Sequence, residues 1–136
     1  MVFWTDKFLT GSDRIDQQHR VLINNINHLE GMLTDTNPTP EECEFLIHLI
    51  DFLESYAQTH FQFEEQCMES YRCPAHAKNK EAHAQFLALF HGFKERCRQE
   101  GFRQEILKSL HRALHTWIEE HILAVDIQLR PCLPKG

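Results

Sequence analysis

A chain of 136 residues, 42% of them hydrophobic, carries enough apolar mass for one packed core and is short for two. A net charge of −6 with scattered Lys and Arg excludes a surface built to neutralise nucleic acid or anionic lipid. No apolar stretch is long enough for a membrane span, and the first residues have no signal-peptide core.

The segment before Ile15 reads as an N-terminal arm over residues 1–15, laid on the domain through Phe3 and Trp4. Helical apolar periodicity then runs from Asp16 to Thr34, along Ile15, His19, Leu22, Ile26, Leu29 and Leu33. Pro38 and Pro40 break it. Thr39, Pro40 and Glu42 form a capping-box signal that opens a second helix over 40–71, with a stripe of Leu46, Leu49, Leu53, Tyr56, His60, Glu64, Cys67 and Tyr71. A third helix over 75–100 carries Asn79, His83, Phe86, Phe90, Phe93 and Cys97, and Gly101 stops it. A fourth over 103–130 carries Leu107, Leu110, Leu114, Trp117, His121, Val125 and Leu129, with Pro131 as its end. Residues 131–136 read as a tail or the start of a linker. Short connections make successive helices antiparallel neighbours. The expected fold is therefore all-α: a single domain over 1–136, an up-down-up-down antiparallel four-helix bundle with an N-terminal arm.

Each apolar stripe is interrupted by a side chain that can bind metal: His19, then His60 and Glu64, then His83, then His121. In an up-down-up-down bundle the start of the first helix, the end of the second, the start of the third and the end of the fourth share one end. The four histidines therefore fall in one layer. A lone histidine on an apolar face is usually a satisfied core residue. Four around a buried Glu imply a shared cation, because a buried carboxylate is costly unless compensated. His60 and Glu64 share a helix face at i, i+4, as do Asn79 and His83. Asp126 follows His121 by five residues, about 140° around an ideal helix. It reaches the same centre only if that centre lies between the two directions or the helix is locally widened.

The ordered segments Ile15-Asp16-Gln17-Gln18-His19, His60-Phe61-Gln62-Phe63-Glu64-Glu65, His83-Ala84-Gln85-Phe86-Leu87 and Trp117-Ile118-Glu119-Glu120-His121-Ile122, with Asp126, resemble the motifs of the hemerythrin family, most closely its bacterial domains. Trp4 and Met68 extend the likeness. The resemblance implies two non-haem iron ions bridged by Glu64, Asp126 and an oxo or hydroxo group. His19 and His60 would bind one iron, and His83 and His121 the other. The family's usual third histidine on the second iron falls at Asn79, so this chain departs from the pattern there. Phe61, Ile118 and Ile122 are the expected walls of the O₂ pocket.

The function expected of such a chain is an O₂-binding and redox-sensing domain rather than an enzyme, able to take O₂, NO or azide-like anions. The extra open coordination place favours a sensor, and the tail after the fourth helix suggests a C-terminal output domain. Bacterial relatives are often fused to diguanylate cyclases or chemotaxis receptors. A stand-alone O₂ carrier or store, or a plain iron-binding protein, is the alternative. A ferritin-like oxidase is disfavoured because no histidine has a Glu three residues before it. The five cysteines lack C-x-x-C spacing, which points to free thiols and a cytoplasmic location. Among the remaining histidines, His111 and His115 read as surface or structural residues, and His76 lies too far along its helix from His83 to join it. Glu65 reads as solvated or as a support to a ligand.

Overall fold

A computed structural model describes residues 2–133. Four helices carry the architecture: α1 (Asp13–Gly31), α2 (Pro40–Ser70), α3 (His76–Glu100) and α4 (Gln104–Ala124). Each packs against two neighbours in a closed ring, α1 on α2, α2 on α3, α3 on α4 and α4 on α1. The result is the up-down-up-down antiparallel bundle.

Local chemistry sets the helix ends. Ser12 accepts a hydrogen bond from the Ile15 amide at 3.3 Å, so α1 begins three residues before the expected Asp16. It ends at Gly31 rather than Thr34, where Met32 closes the last turn by bonding the Leu29 carbonyl. The capping box forms as expected: Glu42 N–H donates to Thr39 Oγ1 at 3.2 Å and Thr39 N–H to Glu42 Oε1 at 3.1 Å. Gly101 ends α3 at a φ of 85°, a conformation that favours glycine.

The fourth helix is shorter than its apolar period suggests. It stops at Ala124, and Asp126–Cys132 form a 3₁₀ helix with Pro131 inside it. The expectation of a continuous helix to residue 130 is thereby corrected. Val125 and Leu129 do face inward, but from a tighter winding that redirects Asp126.

The arm lies against the bundle through a short 3₁₀ turn, Asp6–Phe8, and a buried Phe8. Asn27 clamps the backbone of Val2, accepting from its N–H at 3.0 Å and donating to its carbonyl at 2.8 Å. Trp4 packs on Phe8 and under the Arg20 guanidinium, whereas Phe3 is 72% exposed and does not dock.

Two apolar clusters fill the interior. The larger runs from Leu29, Leu46 and Leu107 to Phe61, Phe86, Ile118 and Ile122. The smaller contains Ile15, Met68, Cys73, Ala75, Val125 and Leu129. Ile15, Met68, Ala75 and Val125 each stand four residues along the chain from His19, Glu64, Asn79 and His121, with Ala75 and Val125 at the caps of α3 and α4. The polar layer is thus capped by apolar residues on both sides.

Candidate metal centre

That layer holds His19, His60, Glu64, Asn79, His83, His121 and Asp126, all buried. His19 comes from the first turns of α1, His60 and Glu64 from the end of α2, Asn79 and His83 from the start of α3, and His121 from the last turn of α4. Asp126 arrives by a different route. The helical path breaks at Val125 (φ −118°, ψ −55°), and the 3₁₀ turn swings the carboxylate back into the layer. The five-residue offset from His121 is accommodated by ending the helix, not by widening it.

The six charged or imidazole side chains fall into two halves. Glu64 Oε2 lies 3.1 Å from His19 Nε2 and 3.0 Å from His60 Nε2. Glu64 Oε1 lies 3.1 Å from His83 Nε2. Asp126 divides in the same way, with Oδ2 3.1 Å from His19 Nε2 and Oδ1 3.0 Å from His121 Nε2. Each carboxylate thus presents one oxygen to each pair of histidines. The groups Glu64–His83–His121–Asp126 and His19–His60–Glu64 each bring their donor atoms within 4.8 Å of one another.

Hydrogen bonding alone leaves this arrangement unexplained. Asp126 Oδ1 is buried beside His121 Nε2 yet makes no hydrogen bond. His83 Nε2 and His121 Nε2 face each other at 3.3 Å. Donors bound to one metal at about 2.0–2.2 Å stand about 3 Å apart when adjacent, which matches these separations. Imidazole and carboxylate are the donor set expected of iron and similar cations. The residues therefore fit a pair of bridged metal ions.

Without metal, the layer balances its charges internally. Burial alone would depress His19, but hydrogen bonds and charges from Asp126 and Glu64 outweigh it and raise its pKa to about 10. Burial likewise opposes ionised Glu64, yet hydrogen bonds from His19, His60 and His83 hold it well below the usual carboxylate range. His60 is pushed down, because its desolvation exceeds the help it receives from Glu64.

A supporting shell surrounds the donors. Gln18 Oε1 lies 2.6 Å from His60 Nδ1, and Glu65 Oε2 lies 3.2 Å from His83 Nδ1. Such partners orient an imidazole and set which nitrogen faces the metal. Phe61 stacks on His83 with centroids 3.8 Å apart and planes 8° apart, and Trp117 stacks on His121 at 4.3 Å and 15°. Ile118 and Ile122 are buried in the main core with Phe61, on the helix that carries His121.

Asn79 is fully buried, and its amide Nδ2 donates to Glu64 Oε1 at 2.7 Å and approaches Met68 Sδ at 3.3 Å. Its Oδ1 has no partner. His76 belongs to neither donor group, while His111 and His115 face Glu30 and Glu119 away from the layer. Gln18 and Trp117 are supporting residues that periodicity does not single out. Gln18 flanks a stripe residue instead of sitting on one, and Trp117 reads equally well as core.

Comparison with known proteins agrees with this geometry. The family model for the hemerythrin HHE cation binding domain matches residues 10–133. A bacteriohemerythrin of Stenotrophomonas maltophilia (strain R551-3) is 32% identical over 126 residues, which cover 93% of this chain and 77% of the relative. A bacteriohemerythrin of Clostridium acetobutylicum is 30% identical over 129 residues, covering 93% of this chain and 96% of the relative. A crystal structure of wild-type hemerythrin superposes with a TM-score of 0.82 at 23% identity, over 98% of both chains, and so shares the fold. The family match takes in all six converging side chains, and with relatives of this similarity it makes the chain a member of the hemerythrin family, whose domains typically bind O₂ at a non-haem di-iron centre.

Proposed function

We propose that this chain holds two non-haem iron ions and binds O₂ or a similar small ligand there. In this reading His19, His60, Glu64 Oε2 and Asp126 Oδ2 hold one iron, and His83, His121, Glu64 Oε1 and Asp126 Oδ1 hold the other. The observation that carries it is the division of both carboxylates between the two histidine pairs. When bound, a ferrous pair supplies the two electrons needed to bind O₂ reversibly. The chain's own work is to orient and to exclude water. Gln18 and Glu65 steer two imidazoles, and Phe61, Ile118 and Ile122 wall the ligand pocket.

The experiment is elemental and spectroscopic. Purified protein is expected to carry about two irons per chain, since two bridging carboxylates serve two cations. Its diferric form is expected to be EPR-silent through coupling of the two spins. One zinc per chain and no iron in freshly prepared protein would overturn the reading.

Within it, a redox-sensing role in a bacterial signalling protein is supported by the ligand count. Among the described residues neither half brings a third imidazole to the layer: position 79 is an asparagine, whose amide nitrogen donates to Glu64. Room for exogenous ligands at both irons suits a site that changes oxidation state readily. A stand-alone O₂ carrier or store is the second reading. The measured rate of ferrous oxidation in air separates them: slow oxidation with reversible O₂ uptake favours a carrier. The five free cysteines suit a reducing cytosol.

A further inference from the structure

We propose that Cys73 and Cys132 form a redox-active dithiol, which hydrogen peroxide converts reversibly into an intramolecular disulfide stapling the C-terminal 3₁₀ helix to the link between α2 and α3. Their Sγ atoms stand 2.7 Å apart although the residues are 59 positions apart in sequence. Less than an ångström of closure reaches the ~2.05 Å of a disulfide bond. Both thiols also lie against one acceptor, the Gln128 carbonyl, at 3.5 Å and 3.6 Å. The metal centre uses neither.

The surroundings suit reversible chemistry. Cys73 is buried in the small apolar cluster beside Met68, Val125 and Leu129, whereas Cys132 is partly exposed at the end of the 3₁₀ helix. A small oxidant therefore meets Cys132 first. Cys132 Sγ gives an electron pair to one peroxide oxygen, the O–O bond breaks, and a sulfenic acid and one water form. Cys73 Sγ then attacks that sulfur, the S–S bond forms as the S–O bond breaks, and a second water leaves. Two thiols lose two electrons and two protons, and one peroxide becomes two waters. The hydrogen bond with Cys73, and then burial, push the Cys132 thiol up to about 11, so it rests as a neutral thiol at neutral pH. Reaction with trace peroxide is correspondingly slow.

The position gives the bond a consequence. Asp126 lies six residues before Cys132 in the same 3₁₀ helix, and Asn79 lies six residues after Cys73. A staple at this place ties the segment carrying one carboxylate to the link leading into α3. Its effect on iron rests on Asp126 being a metal ligand, as proposed for the di-iron centre. The bond itself does not.

The test treats reduced, iron-loaded chain with a few equivalents of hydrogen peroxide, stops the reaction with catalase, and maps thiols and peptides. Free thiols are expected to fall from five to three, with a single Cys73–Cys132 cross-linked peptide that dithiothreitol reverses. The melting temperature is expected to rise by about 10 °C, from the restraint on a long loop. Cys132→Ser is expected to keep its remaining thiols and show no rise. Iron loss to a chelator is expected to slow several-fold in the cross-linked protein. Five surviving thiols, a Cys67–Cys73 bond, a bond between chains, or irreversible sulfinic acid at Cys132 would overturn the dithiol. A correct cross-link with unchanged iron loss would overturn the coupling to Asp126, and two irons per chain in the same sample would leave the metal reading standing.

Discussion

Asn79 and Glu64 are joined by a hydrogen bond from the Asn79 amide nitrogen to Glu64 Oε1 at 2.7 Å, one helical turn before His83. The amide nitrogen at this place supports a carboxylate, and the amide oxygen is buried without a hydrogen-bond partner. Asn79→His is expected to add an imidazole on the second histidine pair. Met68 Sδ, 3.3 Å from the amide, is flexible enough to make room. Oxidation of ferrous protein in air is then expected to slow by roughly tenfold, the scale of effects at such supporting positions. Stopped-flow mixing with O₂ measures it, and equal rates at equal iron content would remove Asn79 from control of the site.

Glu64 touches three histidines through its two oxygens. Glu64→Ala is expected to abolish the paired site, since both halves lose an anionic donor together. Metal analysis checks this: retention of about two irons per chain would show that Glu64 does not bridge. The metal-free fold is expected to suffer less than from truncating Leu114, a fully buried core residue whose change to Ala costs about 2–5 kcal/mol.

The metal-free protein is expected to be most stable near pH 6.5. His19, raised to about 10, contributes stability that is fully present below its ordinary value of 6.5 and is lost as pH climbs through 10. His60 acts oppositely: its lowered pKa removes stability as pH falls below 6.5. Glu64, held well below 4.5, contributes above 4.5 and loses its contribution as pH drops through its folded value. Urea midpoints across pH report the sum. Iron uptake at neutral pH must also expel the His19 proton, so titrating metal into weakly buffered apo-protein is expected to release acid. Midpoints that rise steadily from pH 6.5 to 9 would contradict the assignment of His19.

Much of this is legible in the sequence, and the gaps have physical causes. The capping box of Thr39 and Glu42 and the four histidines with Glu64 follow from spacing, because helical periodicity and chain reversal decide which side chains share a layer. The end of α4 does not. Val125 and Leu129 continue an i, i+4 apolar pattern that 3₁₀ winding satisfies too, so the break after Ala124 leaves no signature in hydrophobicity. Ser12 is inconspicuous because Asp13 and Arg14 add nothing to the apolar stripe, although its hydroxyl caps the helix. Which way the Asn79 amide turns depends on Glu64 and Met68, partners that only the fold supplies.

Phe61 covers one face of His83 and also meets Phe86 and Trp117 edge-on or tilted. Phe61→Leu keeps most of the volume but opens that face. Loss of stability is expected to be about 1 kcal/mol. Ferrous protein is expected to oxidise several-fold faster in air, because water gains access to the ligand pocket. Stability and oxidation are measured on the same variant. A change in melting temperature without a change in oxidation rate would make Phe61 a packing residue only.

Asp126 tests the role of the broken helix end. Its two oxygens face His19 and His121, and it holds that place only because α4 stops at Ala124. Asp126→Asn preserves the shape but removes the charge and exchanges one oxygen for an amide nitrogen that has no lone pair for a metal. Iron affinity is expected to fall by roughly 10- to 100-fold, with helix content unchanged by circular dichroism. The metal-free variant should also lose part of the alkaline decline in stability, because Asp126 supplies the largest favourable contribution to charged His19. The two readouts are independent. Unchanged iron affinity with an altered alkaline limb would mean that Asp126 serves as a partner to His19 and not as a bridge. A fall in iron affinity is what a carboxylate shared between two metal ions requires, whatever becomes of the alkaline limb.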